Sequence, residues 1–174
     1  MLVIVGVGVV LVAGFLVLVV TRPNTYRVQR RAIMRAEAGK IFGEINDLRR
    51  WSSWSPYEKL DPAMKRVFEG AETGKGSVYQ WEGNSKIGAG RMEIVESVEP
   101  ERVSIRLKFL RPMPGQSLAE FTLAPKDGAT EVTWSMTGPV PFVGKILHLC
   151  FNMDRMIGNS FESGLADLKA QVEK

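Results

Sequence analysis

Two residue types that carry much of protein chemistry are almost missing from this chain. It has 174 residues, yet one cysteine, Cys150, and one histidine, His148. A lone thiol closes no internal disulfide, and without a second thiol or imidazole neither a Cys/His zinc site nor a histidine pair can be assembled. Charge is not concentrated either. The net charge of +4 comes from lysines and arginines scattered along the chain, so the basic stripe of a nucleic-acid binder is missing and no nucleic-acid partner is expected. There is no phosphate-cradling glycine loop, no nucleophile elbow and no histidine-based zinc motif. No metal, no cofactor and no catalytic residue is therefore assigned.

Charge is missing altogether from Met1 to Val20, a stretch dominated by valine and leucine. Its length matches the roughly 20 residues a helix needs to cross a bilayer core. A cleaved signal peptide would carry a basic start and small residues before its cleavage point, and neither is present, so residues 1–21 are expected to be a transmembrane anchor. Gly6, Gly8 and Gly14 do not form the Gly-xxx-Gly spacing of a dimerising helix. Arg22, Arg27, Arg30, Arg31 and Arg35 come after the span, which by the positive-inside tendency favours an outside N-terminus and a cytoplasmic domain. Residues 22–25 make a short linker, so the domain over 26–174 sits close to the membrane.

The chain as a whole is 45% hydrophobic and 24% charged, an ordinary globular composition, and the length beyond the linker suits one core in one α+β domain. Tyr26 to Arg35 reads as a strand and Glu37 to Asn46 as a short helix, with Ile41, Phe42 and Ile45 at helical spacing. An aromatic turn comes next, in which Pro56 and the serines stop the helix and leave Trp51 and Trp54 three apart. From Met64 the pattern becomes an antiparallel meander: Met64 to Glu69, Ser77 to Glu82, Gly90 to Val98, Arg102 to Phe109, Ser117 to Ala124 and Thr130 to Thr137. Alternation puts Val103, Ile105, Leu107 and Phe109 on one face with Val132, Trp134 and Met136. After Pro141 the period is helical: Ile146, Leu149, Cys150, Met153, Ile157, Phe161, Leu165, Leu168 and Val172 form one stripe, with a break expected near Asn152 to Asp154. Gly158 and Gly164 near that stripe cost about 1 kcal/mol each relative to alanine, so a close approach or a cavity is expected beside them.

The order of these elements resembles the helix-grip fold of the polyketide cyclase and lipid-transport superfamily, also called SRPBCC or START-like. The resemblance is carried by Phe42-Gly43-Glu44-Ile45-Asn46-Asp47 with the two tryptophans after it, by Gly90-Arg91-Met92-Glu93-Ile94-Val95-Glu96 with Val98, Pro100 and Arg102-Val103, by Thr130 to Ser135 and by Phe161 to Lys169. It covers the chain from about Tyr26 onward. It implies a curved antiparallel sheet of six or seven strands wrapped on the long C-terminal helix. The first helix begins Ala36-Glu37-Ala38-Gly39-Lys40, without the Ala-Pro start common in relatives. The superfamily includes carriers, cyclases, dehydratases and binding modules, so fold alone does not select among them.

Candidates for a ligand cavity are Trp51, Trp54, Trp81, Met92, Phe109, Phe121, Trp134, Met136, Met153, Ile157 and Phe161. Methionine adapts its shape and each tryptophan needs a partner for its N–H, so such a set suits either an adaptable cavity or a filled core. Polar candidates for the pocket are Tyr79, Arg91 and Asp154. His148 falls beside the helical stripe, where a partly exposed side chain is the favoured reading, and Cys150 reads as a buried inert thiol. Three functions stay open: a membrane-anchored carrier of a hydrophobic small molecule or lipid, a cyclase or dehydratase using polar pocket groups, and an interaction module acting at the membrane surface.

Overall fold

The computed structural model describes residues 14–15, 17–142, 144–146 and 152–174. Most of the expected span over 1–21 lies outside the described residues, as do His148, Leu149 and Cys150. Residues 14–15 and 17–20 are helical, and among the described residues no helix is long and apolar enough to cross a membrane.

Seven antiparallel strands form one sheet: β1 (Thr25–Met34), β2 (Lys65–Gly70), β3 (Ser77–Glu82), β4 (Ala89–Val98), β5 (Arg102–Arg111), β6 (Gly115–Lys126) and β7 (Ala129–Pro139). Their order is β1-β7-β6-β5-β4-β3-β2, so the meander runs from β2 to β7 and the first strand closes on the last. Helix α1 (Ala38–Asn46) packs over β5 and β6, and helix α2 (Met153–Val172) runs along β1. Strands β4 to β7 extend the expected ones by one or two residues at an end, because hairpin pairing continues past the point where apolar alternation ends, while β1 and β2 are shifted by one residue and β3 matches. The β6–β7 hairpin is closed by Asp127 and Gly128, both at positive φ, the conformation that matches the twist of paired strands and that Asp-Gly adopts readily. A register shift between Ile94 and Glu96 in β4 inserts one extra residue, which adds bend and twist to the sheet. Ile94 then faces inward fully buried, and Ser97, also inward, donates to Asn46 Oδ1 of α1 at 2.8 Å.

The break expected near Asn152 is the start of α2: Asn152 Oδ1 accepts from the Arg155 N–H at 2.9 Å, meeting one of the four unpaired donors at a helix start. From there Phe161, Leu165, Leu168 and Val172 are buried against the sheet, while Met153 and Ile157 are half-buried. The two glycines have separate causes. At Gly158 a Cβ would occupy the place taken by the Arg30 guanidinium, which reaches across α2 to Asp154 and Glu162. At Gly164 a Cβ would lie 2.8 Å from Trp134 Cζ3 and from the Pro56 ring.

Gly164 and Gly43 therefore respond to alanine with opposite signs. Gly43 lies inside α1 with nothing within 4 Å of a built Cβ, so Gly43→Ala is expected to stabilise by about 0.5–1 kcal/mol. Gly164→Ala gains the same propensity but overpacks two rigid rings, and should destabilise by about 1–3 kcal/mol net. Urea unfolding followed by tryptophan fluorescence measures both.

Candidate functional site

The inner face of the sheet is filled unevenly along the strands. At the α1 end, Ile94, Val103, Ile105, Phe121, Val132 and Met34 are at 0% exposure and meet Ile41, Ile45 and Leu168, which are equally buried. Two and four residues past Ile105 in β5, Leu107 and Phe109 are half-buried on the same face, as is Tyr26 eight residues before Met34 in β1, and as are Tyr57, Met153 and Ile157 opposite them. Strand register places the start of β1, the end of β7, the start of β6 and the end of β5 at this second, open end.

The chain has four tryptophans, and their N–H groups separate them into two kinds. Trp51 Nε1 donates to the Ile45 carbonyl at 2.9 Å and Trp54 Nε1 to the Glu44 carbonyl at 3.3 Å. These carbonyls belong to the last turn of α1, where no intrahelical donor exists, so the two indoles cap the helix and join the turn to it. Trp81 Nε1 donates to the Ile87 carbonyl at 3.3 Å, and its ring lies over Gly90. Trp134 differs. It is 2% exposed, and its Nε1 is the one buried side-chain polar atom among the described residues that has no hydrogen-bond partner. Its ring is stacked on Phe161 at 4.1 Å between centroids and on Phe121 at 4.8 Å. Because Cζ3 abuts Gly164 and Pro56, Nε1, on the far side of the indole, points away from that contact.

Hydroxyl groups collect at the open end. Tyr26, opposite Gly138, crosses β7 where a Cβ would block it and shares a 2.8 Å hydrogen bond with Ser117 of β6. The Tyr57 hydroxyl meets Ser160 of α2, and burial pushes the Tyr57 phenol up to about 12. Burial raises Tyr26 as well.

Tyr79, expected as a polar pocket group, does face inward and is buried. Its hydroxyl donates to Glu58 Oε1 at 2.6 Å, and Arg66 Nε donates to Glu58 Oε2 at 2.8 Å. Burial, reinforced by the carboxylate, holds the Tyr79 phenol well above its ordinary value. Phe68 stacks on its ring at 5.0 Å. Both carboxylate oxygens are thus engaged, and the set fastens the short 3-10 turn Glu58–Leu60 to the β2–β3 edge. The other two polar expectations are corrected. Arg91 alternates with inward Met92 and lies on the outer face, bonded to Glu93 at 2.8 Å. Asp154 is in the first turn of α2, 62% exposed and paired with Arg30 at 3.0 Å, which holds its carboxyl below the usual range.

Among the apolar candidates, Trp51, Trp54, Phe121, Trp134 and Phe161 form one aromatic cluster. Trp81 meets Phe109 edge-on at 6.1 Å, with Met92 and Met136 also buried on the inner face. Sequence reasoning missed Tyr26, Tyr57, Glu58, Arg66, Ser117 and Ser160. Ser117 had a signal, since it shares strand parity with the cavity candidate Phe121, and Tyr26 had none because no face was assigned to its strand. Tyr57 and Glu58 lie in an aperiodic turn and had none.

Residues 25–173 match the family described as polyketide cyclase/dehydrase and lipid transport. No curated protein matches the chain. Among solved structures, a protein of Chromobacterium violaceum is similar at a TM-score of 0.59 and 17% identity, over 88% of this chain and 99% of that one. The major latex-like protein 151 of Panax ginseng aligns at 0.58 and 17% identity, over 87% and 100%. The di-domain ARO/CYC StfQ of the steffimycin biosynthetic pathway aligns at 0.64 and 11% identity over 86% of this chain, which spans 51% of that one. At these identities the likeness is one of fold.

All three tyrosines of the chain are raised. Phenols titrating above their unfolded value of about 10 contribute stability that is fully present below that pH and lost as pH rises through the folded values. Ultraviolet titration of the folded protein should therefore show less phenolate at about pH 10 than the urea-unfolded chain, which is half ionised there, and stability should fall above that pH.

Proposed function

This chain belongs to the polyketide cyclase/dehydrase and lipid transport family, and on that premise we propose that it holds a hydrophobic small molecule or lipid against the open end of the inner sheet face, beside the membrane that anchors it. The observation that carries this reading is the unpartnered Trp134 Nε1. A buried donor without an acceptor costs about 1–3 kcal/mol, and a guest that brings a carbonyl, ester or hydroxyl oxygen to it relieves that cost. The guest is therefore an apolar body with at least one acceptor oxygen. Half-buried Leu107, Phe109, Met153 and Ile157 offer it apolar contact, and Tyr26 and Tyr57 offer hydroxyls. Residues 1–21 serve as the anchor, and the arginines after it favour a domain on the cytoplasmic side.

A cyclase or dehydratase activity is the second reading, and what favours it is the pair of hydroxyls near the same face. Tyr57 stays protonated to about pH 12, so it can donate to a guest oxygen across the physiological range. The Glu58, Tyr79 and Arg66 set is less suited to proton transfer, since its donors and acceptors are satisfied among themselves.

Native mass spectrometry of the chain released in mild detergent is expected to find one apolar compound per chain. Replacing Trp134 by benzothienylalanine, which exchanges the N–H for sulfur in nearly the same shape, should make the empty protein more stable, by up to about 1–3 kcal/mol, and weaken retention about tenfold, the equivalent of about 1.4 kcal/mol. Equal retention by that variant, or an empty wild-type chain after exposure to total lipid extracts, would count against the carrier.

A further inference from the structure

Four large apolar side chains at the open end of the sheet face solvent: Leu110 at 50% exposure, Met113 at 63%, Phe142 at 49% and Met156 at 58%. Leu110 and Met113 flank the tip of the β5–β6 hairpin. Leu118 pairs with Thr137, so extending that register carries the tip to the level where β7 gives way to Val140 and Phe142. Met156 is in the first turns of α2, one turn from Ser160, which accompanies Tyr57 at the same end.

The N-terminal helix joins the domain at this end too. Arg22, Pro23 and Asn24 separate its last turn from β1. The Asn24 carbonyl accepts from the Val140 N–H at 2.7 Å, and Lys145, 7% exposed, sends its Nζ to the Val20 carbonyl at 3.3 Å. A cation against the carbonyl end of a helix is a favourable placement. Lys145 is thus held directly against the end of the apolar segment. The unpaired charge at this end is mainly positive. Arg22, Lys86 and Arg155 are exposed and form no ion pair among the described residues, while Glu82 is taken by Arg111, Asp154 by Arg30, and Asp61 by backbone N–H groups.

We propose that this end of the domain docks on an anionic bilayer, the one that carries the N-terminal helix, with Leu110, Met113, Phe142 and Met156 entering the headgroup and upper acyl region and the three cations meeting phosphate. The inference rests on residues 1–21 being a membrane anchor. Apolar side chains ringed by unpaired cations are the composition that binds such an interface. Docked in this way, the half-buried inner face opens toward lipid, and a guest moves between bilayer and protein without crossing water.

The test uses the full chain with Cys150→Ser, and single cysteines at Met113→Cys, Phe142→Cys or, at the far end of β4, Val98→Cys. Each is labelled with an environment-sensitive fluorophore and reconstituted into phosphatidylcholine vesicles containing phosphatidylglycerol. Labels at 113 and 142 are expected to shift to the blue and to be quenched by acyl-chain spin-labelled lipid, and the label at 98 to do neither. Alkaline carbonate extraction of the same vesicles reports the anchor separately. If the chain resists extraction but the labels at 113 and 142 behave like the one at 98, the docking surface is overturned and the anchor stands. If the chain is extracted yet those two labels are quenched beforehand, the surface stands and the anchor is overturned. Extraction without quenching overturns both.

Discussion

Phe161 lies flat on Trp134 with 4.1 Å between ring centroids, and Trp134 lies on Phe121 at 4.8 Å, so helix and sheet are joined through three stacked rings. Gly164 lets α2 come this close, because the position of a side chain there is taken by Trp134 and Pro56. Trp51 and Trp54 press on the same stack from the turn after α1, and their own N–H groups finish that helix. One contact therefore fixes the height of α2, the position of α1 and the path of the aromatic turn. Aromatic stacking adds roughly 0.5–1.5 kcal/mol per pair beyond the area it buries, so a cluster of this kind outweighs the helix cost of two glycines.

With α2 pinned at its middle, the two ends of the inner face are free to differ. Beyond Phe161 the helix continues with Leu165, Leu168 and Val172, all buried, and the space is closed by Ile41 and Ile45. Before Phe161 the helix offers Ile157 and Met153, half-buried, and the sheet opposite carries the small residues Ala119 and Ser117, with Tyr26 lying over Gly138. The Trp51 and Trp54 donors are spent on the end of α1, Tyr79, level with Leu107 across the sheet, is spent on Glu58, Tyr26 and Tyr57 meet Ser117 and Ser160 at the open end, and Trp134 Nε1, level with Phe121, is unpaired. A protein interior packs as densely as an organic crystal, so a persistent gradient of burial along one face sets the place where a guest is accommodated at least cost.

The fold was legible because it rests on period. Strands with one buried face alternate, the C-terminal stripe repeats at three and four, and the two patterns change over at Pro139 and Pro141. Those signals brought out every strand and the inward parity of Val103, Ile105, Trp134 and Met136. They also give Arg91 an outward side chain, since it alternates with Met92; its assignment to the pocket set parity aside. Asp154 was misread for another reason. The direction of its side chain depends on the exact residue at which α2 begins, which the Asn152 cap sets and the expected break over Asn152 to Asp154 left open. Glu58 could not be found by period at all, because its partners Arg66 and Tyr79 lie on two strands and meet it only after the turn folds back over the sheet edge.

Three unsatisfied features of the domain lie along one path from the linker at residues 22–24 to the core. The exposed apolar rim is at the level of the linker, and half-buried Tyr26, Leu107 and Phe109 line the face behind it. Trp134 Nε1, the third feature, is deeper in the same inner face, where β7 passes from Met136 to Val132. Each raises the free energy of the isolated domain: exposed apolar surface through hydration, incomplete burial through lost contacts, and an unpaired N–H through lost hydrogen bonding. A chain selected for stability alone would remove them separately, by a polar residue at Met113, a larger one at Ala119 and a phenylalanine at Trp134. All three would be relieved together by the proposed arrangement, a bilayer at the rim and an oxygen-bearing apolar guest behind it, whereas packing alone leaves the three costs standing.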